Sequence, residues 1–169
     1  MRLLQRLFRA PDRGTAPLLY RAIVARAREP HWYESGGVPD SVDGRFDMIA
    51  AVLCIVLLRL ESEPAGIPQS THLAEVFIAD MDGQLREIGI GDIVVGKHIG
   101  KMMGMLGGRL GAYRDGLAAG SMRDALVRNL WRGRAPEGAA LAHTEAALLA
   151  FRDSLAVAPL ATLLEGTLP

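Results

Sequence analysis

DGRFDMIAAVLCIVLLRLES, residues 43–62, decides the fold of this chain. Every residue from Met48 to Leu58 is apolar, and Arg59 closes the run. The run is too short to span a bilayer, which takes about 20 apolar residues. A helix that is apolar on all sides needs other helices around it. Burying each large side chain contributes roughly 1.5–3 kcal/mol before the entropy of ordering is subtracted. Residues 43–62 are therefore predicted as the central helix, with Cys54 an inert thiol among Ala51, Val52, Leu53, Ile55 and Val56.

Outward from this segment, alanine and leucine recur at spacings of three and four, while aromatic and β-branched alternation is nearly absent. Upstream lies a loop, HWYESGGVPDS at 31–41, preceded by a helix from Thr15 as N-cap to Glu29 that Pro30 stops. Its residues Leu19, Ile23 and Arg26 share one side. A short basic helix is expected at 2–10, broken by residues 11–14. Downstream, Pro64, Gly66 and Pro68 lead into a helix over 70–88, ended by Gly89. A long helix follows over 92–118, and Gly120 breaks it. Ser121 and Asp124 resemble a capping box for a helix over 122–132. The last helix runs from the loop at 133–138 to about Val157. The predicted fold is all-α, a single-domain bundle of about six or seven helices around the central one. Residues 1–14 form a basic amphipathic helix and linker, 15–158 the helical domain, and 159–169 a flexible tail.

The chain has 169 residues, enough for one domain with a sizeable core. Nineteen basic residues balance nineteen acidic ones, so no overall field points to nucleic acid. A single cysteine excludes an internal disulfide framework and fits a reducing compartment. Residues 1–10 carry Arg2, Arg6 and Arg9 among leucines and have no long apolar h-region, so they are not a secretory signal. With Leu3, Leu4, Leu7 and Phe8 opposite the arginines, this segment suits a membrane surface or a partner.

Several side-chain groups are candidates for function. On the long helix, Gly96, Gly100, Gly104, Gly107, Gly108 and Gly111 fall within about one third of the circumference, beside Met102, Met103 and Met105. Each interior glycine costs about 1 kcal/mol relative to alanine. Close approach of a second helix offsets such a cost. That helix is either internal, the expected case, or an apolar segment of a client. Asp80 and Gln84 sit within the apolar stripe of the 70–88 helix. A carboxylate there needs a partner, and Arg45 is the leading candidate, with Arg86 the alternative. Asp40, Asp43, Asp47, Asp80 and Asp82 lack a His or Glu at ligand spacing, Asp43 is better placed as a helix cap, and His31, His72, His98 and His143 are scattered singly. No metal, cofactor or catalytic residue is assigned. Arg123, Arg128, Arg132 and Arg134 near Trp131 form a second basic stretch, suited to solvent or to an acidic partner.

GVPDSVDGRFDMI at 37–49 and FIADMDGQLREIG at 77–89 closely resemble hallmark segments of the ubiquinol–cytochrome c chaperone family. Gly91-Asp92, Val95-Gly96-Lys97, AREPHWY at 27–33 and LVRNLWRG at 126–133 are similar to it as well, in the family's order. The resemblance implies an all-helical, non-enzymatic assembly factor for the cytochrome bc1 complex (complex III). Its client would be newly made cytochrome b or another bc1 subunit, met with a small partner protein near the ribosome. The resemblance also implies a cytoplasmic protein, peripherally associated with the cytoplasmic face of the inner membrane, with no DNA partner. Trp32, Tyr33, Gly96, Gly100, Met103, Gly104, Arg128 and Trp131 are the candidate client-binding residues, and Arg45 with Asp80 a structural ion pair. The alternatives are a small metal-dependent enzyme using Asp43, Asp47, Asp80 and His72, or a ribosome- or RNA-binding adaptor.

Overall fold

The computed structural model describes residues 14–87 and 95–169, apart from the side chains at 85, 86 and 95–99. The basic segment at 2–10 and the helix boundary around 88–94 lie outside the described residues, as do the surroundings of Gly96. What is described is all helical: α1 (Ala16–Ala27), α2 (His31–Glu34), α3 (Val42–Glu61), α4 (Ile67–Glu87), α5 (Val95–Ala119), α6 (Arg123–Leu130), α7 (Gly138–Val157) and α8 (Leu160–Leu164). A 3-10 turn, Pro64–Gly66, joins α3 to α4.

Helix α3 is the centre, as its composition predicts. Every residue from Met48 to Leu57 is at most 5% exposed, and α1, α4, α5, α6 and α7 all pack against it. Cys54 is fully buried, and that burial pushes its thiol up to about 12. The helix is capped by Ser41 rather than Asp43: the Ser41 hydroxyl accepts the Gly44 N–H at 3.1 Å. Asp43 stands in the first turn, where a carboxylate complements the helix dipole. Gly44 is required because the carbonyl of Pro39 folds back onto the space a Cβ would fill.

Two polar side chains fasten helix ends across the bundle. Arg59, on α3, donates to the carbonyls of Leu155 at 2.8 Å and Ala158 at 3.1 Å, covering the C-terminus of α7. Glu145, on α7, accepts the Met122 N–H and the Ser121 hydroxyl, both at 3.0 Å, and pairs with Arg123 at 2.8 Å. The start of α6 is thus satisfied by a carboxylate from another helix and by the Ser121 hydroxyl, which accepts the Arg123 N–H at 3.3 Å, without a bond from Asp124. Partial burial pushes the Glu145 carboxyl up, but Arg123 and these donors outweigh it and hold it below the ordinary value.

The loop at 31–41 and the tail both carry more order than their composition suggests. Pro30 opens α2, and Trp32 goes into the core. Residues 159–169, expected to fray, instead form α8 and pack against α1. Leu163 is fully buried there, and the Thr15 hydroxyl donates to the Leu164 carbonyl. An apolar LATLL stripe returning over α1 explains the order.

Candidate functional site

An apolar groove of about 390 Å3 is walled by α1, α3, α4 and α5. Successive turns of α3 contribute Val42, Phe46 and Ile49. From α4 comes Met81, from α5 Met102 and Met105, and from α1 Val24. Met81 and Met102 are buried, whereas Met105 and Val42 at the lip are 38% and 75% exposed. Arg28, Arg45, Lys101 and Arg132 stand around this apolar floor, with Asp43, Asp80 and Gln84.

Among the described residues one carboxylate is buried. Asp47, one turn after Asp43 on α3, is 1% exposed. It accepts Arg109 of α5 at 2.6 Å and Arg132, just past α6, at 2.9 Å. Arg132 also reaches Asp43 at 2.7 Å, and Arg109 lies over the Phe46 ring at 5.4 Å. One carboxylate therefore ties α3 to α5 and to the end of α6. Arg132 has φ +52°, and among the described residues it is the non-glycine one at positive φ. The left-handed conformation costs a non-glycine residue roughly 1–2 kcal/mol, a cost its bonds to Asp47 and Asp43 offset. The hydrogen bond to Asp47 also raises the Arg132 pKa.

The predicted pair of Arg45 with Asp80 does not form. Arg45 pairs with exposed Asp40 at 2.6 Å, which holds the Asp40 carboxyl below its ordinary value. Asp80 is itself exposed and accepts the Tyr20 hydroxyl at 2.7 Å and the Gln84 amide at 3.1 Å. Burial and that bond to Asp80 push the Tyr20 hydroxyl well above the ordinary tyrosine range. Asp80 lies at the edge of the α4 stripe, where it opens on the groove instead of the core.

Among the described residues, no second helix packs on the glycine face of α5 from Gly100 to Gly111. Among the described residues, no atom comes within 4 Å of a Cβ built at Gly100, Gly104, Gly107, Gly108 or Gly111. Helix α5 meets the core through Met102, Leu106 and Tyr113, on another side. A close approach does occur at Gly116, where a Cβ would lie 2.9 Å from the Ser121 carbonyl oxygen. Gly107, Gly108 and Gly111 instead line an open trough with Arg128 and Asn129, and Met105 joins that trough to the groove.

The other proposed site residues divide in the same way. Trp32 and Trp131 are buried, their indole N–H groups donating at 2.8 Å to the carbonyls of Arg26 and Gly37. They hold the fold together and offer no surface. Tyr33 is half-buried, its hydroxyl donating to the Ala27 carbonyl at 2.7 Å. Met103, Gly100 and Gly104 are exposed, but none of them lines the groove. The groove's own residues, Val24, Arg28, Phe46, Met81 and Lys101, are absent from the sequence-based selection, because they share no helix face. Two histidines that are remote in sequence meet: His31 Nδ1 lies 3.0 Å from His143 Nε2, and Glu29 lies 3.1 Å from His31 Nε2. Among the described residues, no three His, Cys, Asp or Glu side chains group as metal ligands. No described helix is long and apolar enough to cross a membrane.

The described residues form an all-helical domain with a concave apolar surface lined by four cations and two carboxylates. The chain belongs to the ubiquinol–cytochrome C chaperone family, whose model matches residues 34–168. Its fold is similar to the crystal structure of the Cbp3 homolog from Brucella abortus, at 32% identity and a TM-score of 0.80. That likeness covers 98% of this chain and 95% of the other. Among curated proteins, no sequence matches the chain.

Proposed function

We propose that this protein is a non-enzymatic assembly chaperone that binds cytochrome b, or another apolar subunit, during biogenesis of the cytochrome bc1 complex. It would act in the cytoplasm at the inner-membrane surface, alongside a small partner protein and the ribosome. The observation that carries the reading is the exposed apolar groove, with Val42 and Met105 at its lip. The open glycine face beside it lets a client backbone come close.

A client segment held there is kept from self-association until haem insertion or subunit docking buries it. Such holding requires no proton transfer, nucleophile or metal, only an apolar surface and its release. Methionine suits the task, since its flexible thioether adapts to varied side chains.

The test is a pull-down with the full chain from detergent-solubilised cells, followed by identification of the bound proteins. Recovery of cytochrome b is the expected result. Its absence, with ribosomal proteins or RNA recovered instead, overturns the reading in favour of an RNA-binding adaptor.

A further inference from the structure

We infer that the groove between α1, α3, α4 and α5 docks a partner helix whose apolar face is flanked by carboxylates. This deepens the chaperone reading and rests on it. The floor supplies apolar contact through Phe46, Ile49, Met81 and Met102, and the lip adds Val42 and Met105. Two of these methionines are buried and one is half-exposed, so the surface can adapt to the anchors of more than one helix. Its volume of about 390 Å3 admits the anchor side chains along one helix face.

The rim decides the charge of the occupant. Four cations surround the groove against two carboxylates. Both carboxylates are engaged: Asp43 by Arg132, and Asp80 by Tyr20 and Gln84. Of the cations, Arg132 is divided between Asp43 and Asp47, and Arg45 holds the exposed Asp40. The side chains of Arg28 and Lys101 make no hydrogen bond or ion pair among the described residues, and both residues are exposed. A docking segment therefore meets two unengaged cations beside an apolar floor. A carboxylate flanking its anchors gains charge-assisted hydrogen bonds, and a lysine there is repelled.

Two other occupants fit less well. A flat bilayer surface does not reach Met81 and Met102 at the bottom of a concavity. A second copy related by a two-fold axis would set this cationic rim against itself.

The test uses the full chain and two labelled helical peptides with the same leucine face, one flanked by glutamates and the other by lysines. The glutamate peptide is expected to bind about tenfold more tightly at low salt, with the gap narrowing as salt rises. Arg28→Glu with Lys101→Glu, at two exposed positions, should reverse the preference at an unchanged melting temperature. A single-site variant, Met105→Glu, should weaken the glutamate peptide without reversing the preference. Equal binding of both peptides overturns the inference, as does a wild-type preference that persists in the charge-reversed variant. Binding to phosphatidylglycerol vesicles with no peptide preference overturns it too. If wild type and the charge-reversed chain retain cytochrome b equally, the groove assignment fails while the chaperone reading stands. If the peptide preference holds but wild type retains no cytochrome b, the chaperone reading fails and the groove assignment stands.

Discussion

Helices α3 and α5 are two of the long helices of this bundle, and they pack against each other in opposite manners. Helix α3 is covered on all sides from Met48 to Leu57. Helix α5 gives its Met102, Leu106 and Tyr113 side to the core and has a glycine strip that no described residue covers. In α3 almost every side chain is spent on packing. In α5 the glycines lower helix propensity by about 1 kcal/mol each, and no described neighbour offsets that cost. Packed helices give a bundle its stability, whereas surface that packs against nothing is where a partner can bind. The groove lies where the two helices meet, built from Phe46 and Ile49 on one and Met102 and Met105 on the other.

The sharpest way to break the comparison is at the residue that joins the two helices. Asp47→Ala leaves the Arg109 guanidinium, which is only 12% exposed, without its carboxylate. The expected loss is about 3–5 kcal/mol in urea unfolding, the usual result of breaking a buried pair. A loss under about 1 kcal/mol would mean that α3 and α5 are held by packing alone.

Next in size is overpacking of α3. Ala51 is fully buried, so Ala51→Leu should destabilise by about 1–3 kcal/mol. A neutral result would show that the central helix has slack.

Glu145→Gln tests the cross-helix cap and carries a pH signature. The Glu145 carboxyl is depressed in the fold, so the stability it contributes is present above its unfolded pKa. That contribution is lost as pH falls through the folded value. The variant should be about 1 kcal/mol less stable at neutral pH. The gap from wild type should close in acid. A gap that stays constant down to pH 3 rules out the carboxylate as its source.

The smallest effect distinguishes the bare helix from the covered one. Gly104→Ala should stabilise by somewhat less than about 1 kcal/mol, because no described atom crowds a Cβ there. Destabilisation in thermal melts would mean that the strip is covered after all.

Much of this was legible in the amino-acid order alone. An all-apolar run closed by Arg59 cannot lie at a surface, so the central helix and the buried Cys54 follow from residues 43–62 themselves. Helix periodicity and the Pro and Gly stops place the other long helices to within a few residues, but they read the short helices α2 and α8 as loop and tail. Family-like segments such as GVPDSVDGRFDMI point to the family before any contact is known. A helical wheel says which side chains share a face, but not which neighbour covers that face. Asp47 and Asp80 both read as carboxylates on helices, and only packing against α5 and the end of α6 buries the first and leaves the second exposed. The glycine strip could equally have been a seam or a surface, and no described residue covers it. Trp32 and Trp131 read as recognition residues until the fold turned both inward onto backbone carbonyls. The groove draws residues from four helices, and side chains so distant in sequence share a surface only once tertiary packing has brought them together.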